Sequence, residues 1–202
     1  MLDDRDVKLR TVRDEVLNLV SSPLFAYRQT NKALPVIGEG SHTAEIMFVG
    51  EAPGKNEAKT GRPFCGASGK FLDQLLASVN ISRAQVYITN IVKDRPPANR
   101  DPSPEEIAVY GPFLDQQIGV IQPQLIVTLG RFSMSYIMTK FGLAEADLPI
   151  SQNHGQFFQA QAIYGPVRIL PLYHPAAAIY NQHLKVTLFE DFKKVIEVKP
   201  KV

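Results

Sequence analysis

AEIMFVGEAPGKNEAKTGRPFCGASGK, residues 44–70, is the stretch that decides the fold. An apolar run stops at Gly50-Glu51-Ala52-Pro53-Gly54, charges and glycines follow around a lone Phe64, and a helical pattern resumes at Lys70. Three further apolar, β-rich runs share the character of the first: Gln85 to Val92, Leu125 to Gly130 and Val167 to Leu172. Such near-continuous apolar runs suit strands buried on both faces of a parallel sheet. Helical patterns fall between them. Lys70 to Val79 puts Phe71, Leu72, Leu75, Leu76 and Val79 on one face, and Ser103-Pro104-Glu105-Glu106 reads as an N-cap, a proline at the first helical position and a capping-box Glu, opening a helix towards Ile121. A helix from Arg131 to a stop at Gly142, a last one from about His183 to Val198 and an amphipathic leading helix over residues 5–20 complete the pattern. The alternation predicts an α/β fold, a three-layer α/β/α sandwich with a central, mainly parallel four-stranded sheet, and one domain over residues 1–202.

Ligands of open parallel sheets bind beyond the carboxyl ends of the strands. The four runs end at Glu51, near Asn90, at Gly130-Arg131 and at Tyr173-His174-Pro175, so a carboxylate, an amide and an imidazole are expected on one rim. Composition sets the bounds. The chain has 202 residues, within about one domain's worth, with a net charge of only +2, so any grip on a polyanion has to come from a local basic face. Cys65 is the single cysteine, which excludes an internal disulfide and a cysteine-only metal site within one chain. No stretch has the length and apolarity of a membrane span, and the expected setting is a reducing, cytoplasmic one with no membrane partner and a monomeric chain.

Several chemistries fail on spacing. GASGK resembles the end of a phosphate-binding loop, but that motif needs a glycine where Phe64 stands and a Ser or Thr where Phe71 stands. His42, His154, His174 and His183 are scattered without metal-ligand spacing. Taken singly, each remaining candidate has a bland reading: His174 a capped loop histidine, Asn90 a turn former, Phe64 core, Glu51 and Glu57 solvated loop charges. Their joint placement at strand ends points elsewhere, because an aromatic face, an amide and an imidazole are what a pocket needs to read an extruded base. The stiff, proline-rich loop from Arg95 to Pro104, with Lys59, Arg62, Lys70, Lys93, Arg95 and Arg100, reads as a basic lip for phosphates or simply as the delivery of a helix N-terminus.

At these residues the sequence resembles the family 4 uracil-DNA glycosylases, in four blocks taken in order: GEAPGKNEAKTGRPFCGASGKFLDQLL, VYITNIVKDRPPANRDPSPEEI, PFLDQQIGVIQPQLIVTLG and LPLYHPAAA. The resemblance implies excision of uracil from DNA, single- or double-stranded, leaving an abasic site. It implies that Glu51, Ala52 and Pro53 lie against the uracil and its sugar, that Glu57 is a second acidic position, and that Phe64 stacks on the base. It further implies that Asn90 reads the pyrimidine edge and that His174 stands near O2; Arg62, Lys70, Arg95, Arg100, Ala176 and Tyr180 are expected to face DNA. On this reading Glu51 positions the attacking water and offsets positive charge on the sugar, and His174 stabilises the departing base.

The sequence also departs from that family, whose members usually hold a [4Fe-4S] cluster through four cysteines. The matching positions here are Leu19, Ser22, Asp94 and Tyr110, so no iron–sulfur cluster, metal or other cofactor is expected. The four residues are expected to lie together, Leu19 and Tyr110 packing and Asp94 taking hydrogen bonds or pairing with a nearby Lys or Arg. Cys65 is expected to be a small packed hydrophobe. Tyr180 stands where the family tends to have an arginine, and no histidine lies between Arg95 and Pro104, so ordinary turnover is expected without a covalent adduct to DNA. Two other readings compete: a non-catalytic nucleic-acid binder that kept the pocket, and a glycosylase for another base such as hypoxanthine or mismatched thymine.

Overall fold

The structure is a computed structural model that describes residues 4–197. In chain order its helices are α1 (Asp4–Leu17), α2 (Phe25–Thr30), α3 (Lys55–Thr60), α4 (Ala67–Ser78), α5 (Pro104–Ile121), α6 (Arg131–Lys140), α7 (Ile150–Asn153), α8 (Pro175–Ala178) and α9 (Gln182–Phe192). The strands are β1 (Glu39–Gly40), β2 (Ile46–Gly50), β3 (Tyr87–Asn90), β4 (Leu125–Leu129), β5 (Phe158–Ala162) and β6 (Gly165–Leu172). The last helix breaks at Phe192 into a 3-10 turn over Lys193–Glu197, and Val198 lies outside the described residues.

The sheet runs β1-β3-β2-β4-β6-β5. Its centre, β3-β2-β4-β6, is parallel throughout and consists of the four apolar runs. The expected count of four is corrected to six among the described residues, because antiparallel strands β1 and β5 close the two edges. Neither carries a buried-strand pattern: β1 has two residues, and β5 (FQAQA) alternates half-buried and exposed positions at the rim.

Side chains of β2 alternate between the two faces, as a strand's must. Ile46 and Phe48 join Leu72, Leu75 and Leu76 of α4 and Leu188 and Phe192 of α9. Met47 and Val49 join Leu9 of α1, Leu114 and Ile118 of α5 and Ile137 of α6. Two apolar cores, one on each side of the sheet, make the three layers. The capping box opens α5 as the sequence predicts: Ser103 Oγ accepts from the Glu106 amide at 3.2 Å, and the Glu106 carboxylate accepts from the Ser103 amide at 2.8 Å. That cap fixes where the proline-rich loop ends, and therefore how it lies over the strand ends.

A candidate base-binding pocket

A cavity of about 340 Å³ opens at the carboxyl ends of the parallel strands, lined by Glu51, Ala52, Gly54, Glu57, Phe64, Ser68, Asn90, Asn99, His174 and Ala176. Its size is at the low end for small-molecule sites, which suits one base with part of its sugar. The strand-end residues expected to meet do so.

Gly50, the last residue of β2, sets the floor. A Cβ there would lie 2.3 Å from Asn90 Oδ1 and 2.7 Å from Phe64 Cζ, so amide and ring converge over a bare backbone. Asn90 ends β3, is only 2% exposed, and its side-chain amide makes no hydrogen bond to another described residue. This amide faces the cavity with its donor and acceptor both free. Its backbone is braced from behind. The ammonium of Lys93, fully buried, donates to Asn90 O at 2.7 Å, to Thr89 Oγ1 at 2.9 Å and to Gln117 Oε1 at 2.6 Å. Burial pulls the Lys93 pKa down to about 7.

His174 follows β6 and caps the short α8: its Nδ1 accepts from the Ala176 amide at 3.1 Å. Gly130, at φ +99, allows this approach, since a Cβ there would sit 3.1 Å from His174 Cβ. Burial holds the imidazole pKa down at about 4, with Glu57 pulling weakly the other way. At neutral pH the ring is therefore uncharged, and with Nδ1 accepting a hydrogen bond the proton sits on Nε2, giving one neutral donor. The Phe64 ring lies 5.7 Å from it, tilted by 31°.

The two acids differ. Glu57 turns one oxygen to the backbone, Oε1 accepting from the amides of Cys65 at 3.0 Å and Gly66 at 2.9 Å, and so ties down the loop that delivers α4. Glu51 has no such partners, and its carboxyl is pushed up to about 7, first by burial, then by the nearby Asp101 charge, against the pull of Arg131. Asp101 and Arg131 are themselves paired at 2.5 Å.

The basic lip is partly engaged. Arg62 forms a two-pronged pair with Glu39 at 2.7 and 3.0 Å, and Arg100 with Glu106 at 2.9 and 2.6 Å. Arg95 braces its loop through Asn99 Oδ1 and Tyr27 Oη. Lys93 leaves the lip altogether for the interior, while Lys59 and Lys70 are exposed. Tyr180, 97% exposed, stands just beyond α8. Cys65 is half-buried, its Sγ 3.3 Å from Thr60 Oγ1. Pro53, between Ala52 and Gly54 of the lining, is buried. Ser68 in the first turn of α4, Asn99 and Asp101 in the proline-rich loop, and the bracing role of Lys93 are the parts that sequence reasoning missed, since each depends on where the chain returns in space.

Away from the pocket, Ser22, Asp94 and Tyr110 form one buried polar cluster. The Ser22 hydroxyl lies 2.6 Å from Tyr110 Oη, which donates to Asp94 Oδ2 at 2.5 Å. Asp94 also takes Arg28 at 3.1 Å, and Arg28 donates further to the carbonyls of Val16 at 3.0 Å and Leu17 at 2.7 Å. Leu19 packs against the apolar residues around them. The expected clustering and the pairing of Asp94 with an arginine are both present. Among the described residues no group of His, Cys, Asp and Glu is placed to hold a metal ion, and no helix is long and apolar enough to cross a membrane.

The family model described as the uracil DNA glycosylase superfamily matches residues 37–197. The chain is 48% identical to the type-4 uracil-DNA glycosylase of Sulfurisphaera tokodaii over 94% of this chain and 84% of that protein. It is 44% identical to the type-4 enzyme of Archaeoglobus fulgidus over 92% of each chain, and 36% identical to that of Thermotoga maritima over 94% of each.

Proposed function

The chain belongs to the uracil DNA glycosylase superfamily, and from that membership we propose that it is a hydrolase of DNA repair, cleaving the N-glycosidic bond of uracil in DNA to leave an abasic site. The observation that carries the reading is Asn90, whose buried and otherwise unpartnered amide faces a base-sized cavity beside the Phe64 ring.

Cleavage leaves positive charge on the sugar and negative charge on the departing uracil. Phe64 stacks on the flipped base, Asn90 accepts from N3–H and donates to O4, and Ala52 and Pro53 bound the base and its sugar. Cytosine presents the opposite edge, so an amide fixed in one orientation rejects it. His174 donates from Nε2 to O2 as charge gathers there. A neutral donor suits this task, since it strengthens its hydrogen bond as the anion forms without having to surrender a proton, an effect worth roughly 3 kcal/mol in comparable oxyanion sites. Glu51 positions the water and faces the cationic sugar, whereas Glu57, bonded to the backbone amides of Cys65 and Gly66, acts by holding the loop.

Lys70 and Arg95 contact phosphates ahead of Arg62 and Arg100, whose forks are occupied by carboxylates. Ala176 lines the mouth, and Tyr180 enters the stack left by the flipped base. A [4Fe-4S] cluster of the kind expected in this family is held by four cysteine thiolates. Leu19, Ser22, Asp94 and Tyr110 do not fit one, having no thiolate among them and their polar atoms already bonded to each other and to Arg28. We read the protein as folding on that hydrogen-bonded cluster in place of a metal.

The test is incubation of purified protein with oligonucleotides carrying uracil, thymine opposite guanine, or hypoxanthine, followed by alkaline cleavage. Scission at uracil well above the other two is expected. Scission at another base alone, or at none, overturns the proposal.

A further inference from the structure

Phe64 has a backbone φ of +48. A bulky L residue takes up the left-handed region only when its surroundings hold it there, and this one is the ring assigned to the base. Glu57 holds the amides that follow it from inside the pocket, and a second restraint comes from outside. Arg83 lies in the 3-10 turn Arg83–Gln85 between α4 and β3, and its side chain runs under the loop: Nη1 donates to Phe64 O at 3.1 Å and Nη2 to Pro63 O at 2.7 Å. In extended chain, successive carbonyls point to opposite sides. They converge on one planar fork only when the backbone turns, so the guanidinium selects the turned conformer. Two carboxylates aim the fork, Asp73 Oδ1 at 3.0 Å from Nη1 and Glu39 Oε1 at 3.4 Å from Nε. Gly69 of α4 closes the other side, where a Cβ would come within 1.7 Å of Phe64 O.

We propose that Arg83 is a positioning residue for base excision, holding Phe64 in its left-handed conformation so that the ring meets the flipped base face on. The inference rests on the reading that Phe64 stacks on the base. A lysine does not replace it, because an ammonium is a point donor without the planar fork that spans two carbonyls.

The test is single-turnover excision from a uracil-containing single strand at saturating protein, for Arg83→Met, Arg83→Lys, Phe64→Leu and the Arg83→Met/Phe64→Leu double variant, with circular dichroism as the check on folding. Misplacement of a positioning group by about an ångström costs up to a hundredfold in rate, so Arg83→Met and Arg83→Lys are both expected to be slowed roughly ten- to a hundredfold, with affinity for abasic DNA little changed. In the Phe64→Leu background Arg83→Met should add less than about threefold, since residues acting as one unit are non-additive. Added guanidinium should restore part of the rate of Arg83→Ala, a recovery that keeps the test decisive if Arg83→Met is poorly folded. If Phe64→Leu retains full rate, the stacking assignment fails. If Phe64→Leu is slow but Arg83→Lys is as fast as wild type, or the two losses multiply, stacking stands and the role given to Arg83 is wrong.

Discussion

The ionisation of Glu51 should set the pH dependence of excision. Its carboxyl is raised from 4.5 to about 7 by burial and by Asp101, with Arg131 opposing. In the role proposed for it Glu51 must be ionised, so the rate should follow deprotonation and climb with pH. For one group near pH 7 the ionised fraction rises roughly tenfold from pH 6 to pH 8, and kcat/KM should rise by about that factor, because this parameter reports groups of the free enzyme. Other titratable groups in and behind the pocket do not produce the same limb. His174 is already neutral above about 4, and Lys93, held near 7, loses its proton as pH rises and belongs to the alkaline side. The diagnostic perturbation is Asp101→Asn. Removing the repelling charge while leaving Arg131 in place should move the acid limb to lower pH, whereas Arg131→Gln should move it higher. Stability should run the other way: between pH 4.5 and 7 the folded protein keeps a proton that the unfolded chain has released, so Glu51 lowers stability as pH rises through that window. A profile flat from pH 5 to 8, or a limb that Asp101→Asn leaves in place, would refute Glu51 as the group that must ionise.

Three further outcomes are expected. Asn90→Asp still accepts from N3–H but repels O4, so single-turnover uracil excision should fall by about 2–3 kcal/mol of transition-state stabilisation and the preference for uracil over cytosine should narrow; a loss under about threefold means the pocket is read elsewhere. Asp94→Asn leaves the Arg28 guanidinium buried without its charge partner and should cost about 3–5 kcal/mol in urea unfolding, while Arg28→Met with Asp94→Leu should cost clearly less than the sum of the two single changes; additive losses would contradict a coupled pair. Tyr180→Ala, at a residue 97% exposed, should leave the melting temperature unchanged and slow excision from duplex DNA more than from single strands, which a pair of rate measurements decides.

Much of this molecule is readable from its residues, and the unreadable parts share a cause. The four central strands announce themselves because each is apolar on both faces, and Ser103 with Glu106 marks the start of α5 from local chemistry alone. Glu51, Asn90 and His174 follow from the strand-end rule, since a parallel sheet brings strand ends together whatever the helices do. The edge strands β1 and β5 escape notice because one is too short for a pattern and the other too exposed. Arg62 and Arg100 look like free cations until the fold sets Glu39 and Glu106 against them. Lys93 looks like part of a basic lip but is drawn inside by Thr89, Asn90 and Gln117. Glu57 and Arg83 act on backbone atoms of the Phe64 loop. Contacts of that kind depend on where the chain returns, which no local pattern encodes.

The measurement that bears most directly on the account is release of free uracil, identified by mass, from a uracil-containing single strand in one turnover by wild type and by Glu51→Gln. Stoichiometric uracil with an intact sugar-phosphate backbone before alkali is expected from wild type, and release slowed at least tenfold from the variant. Folded wild-type protein that binds the strand and releases no uracil would contradict it.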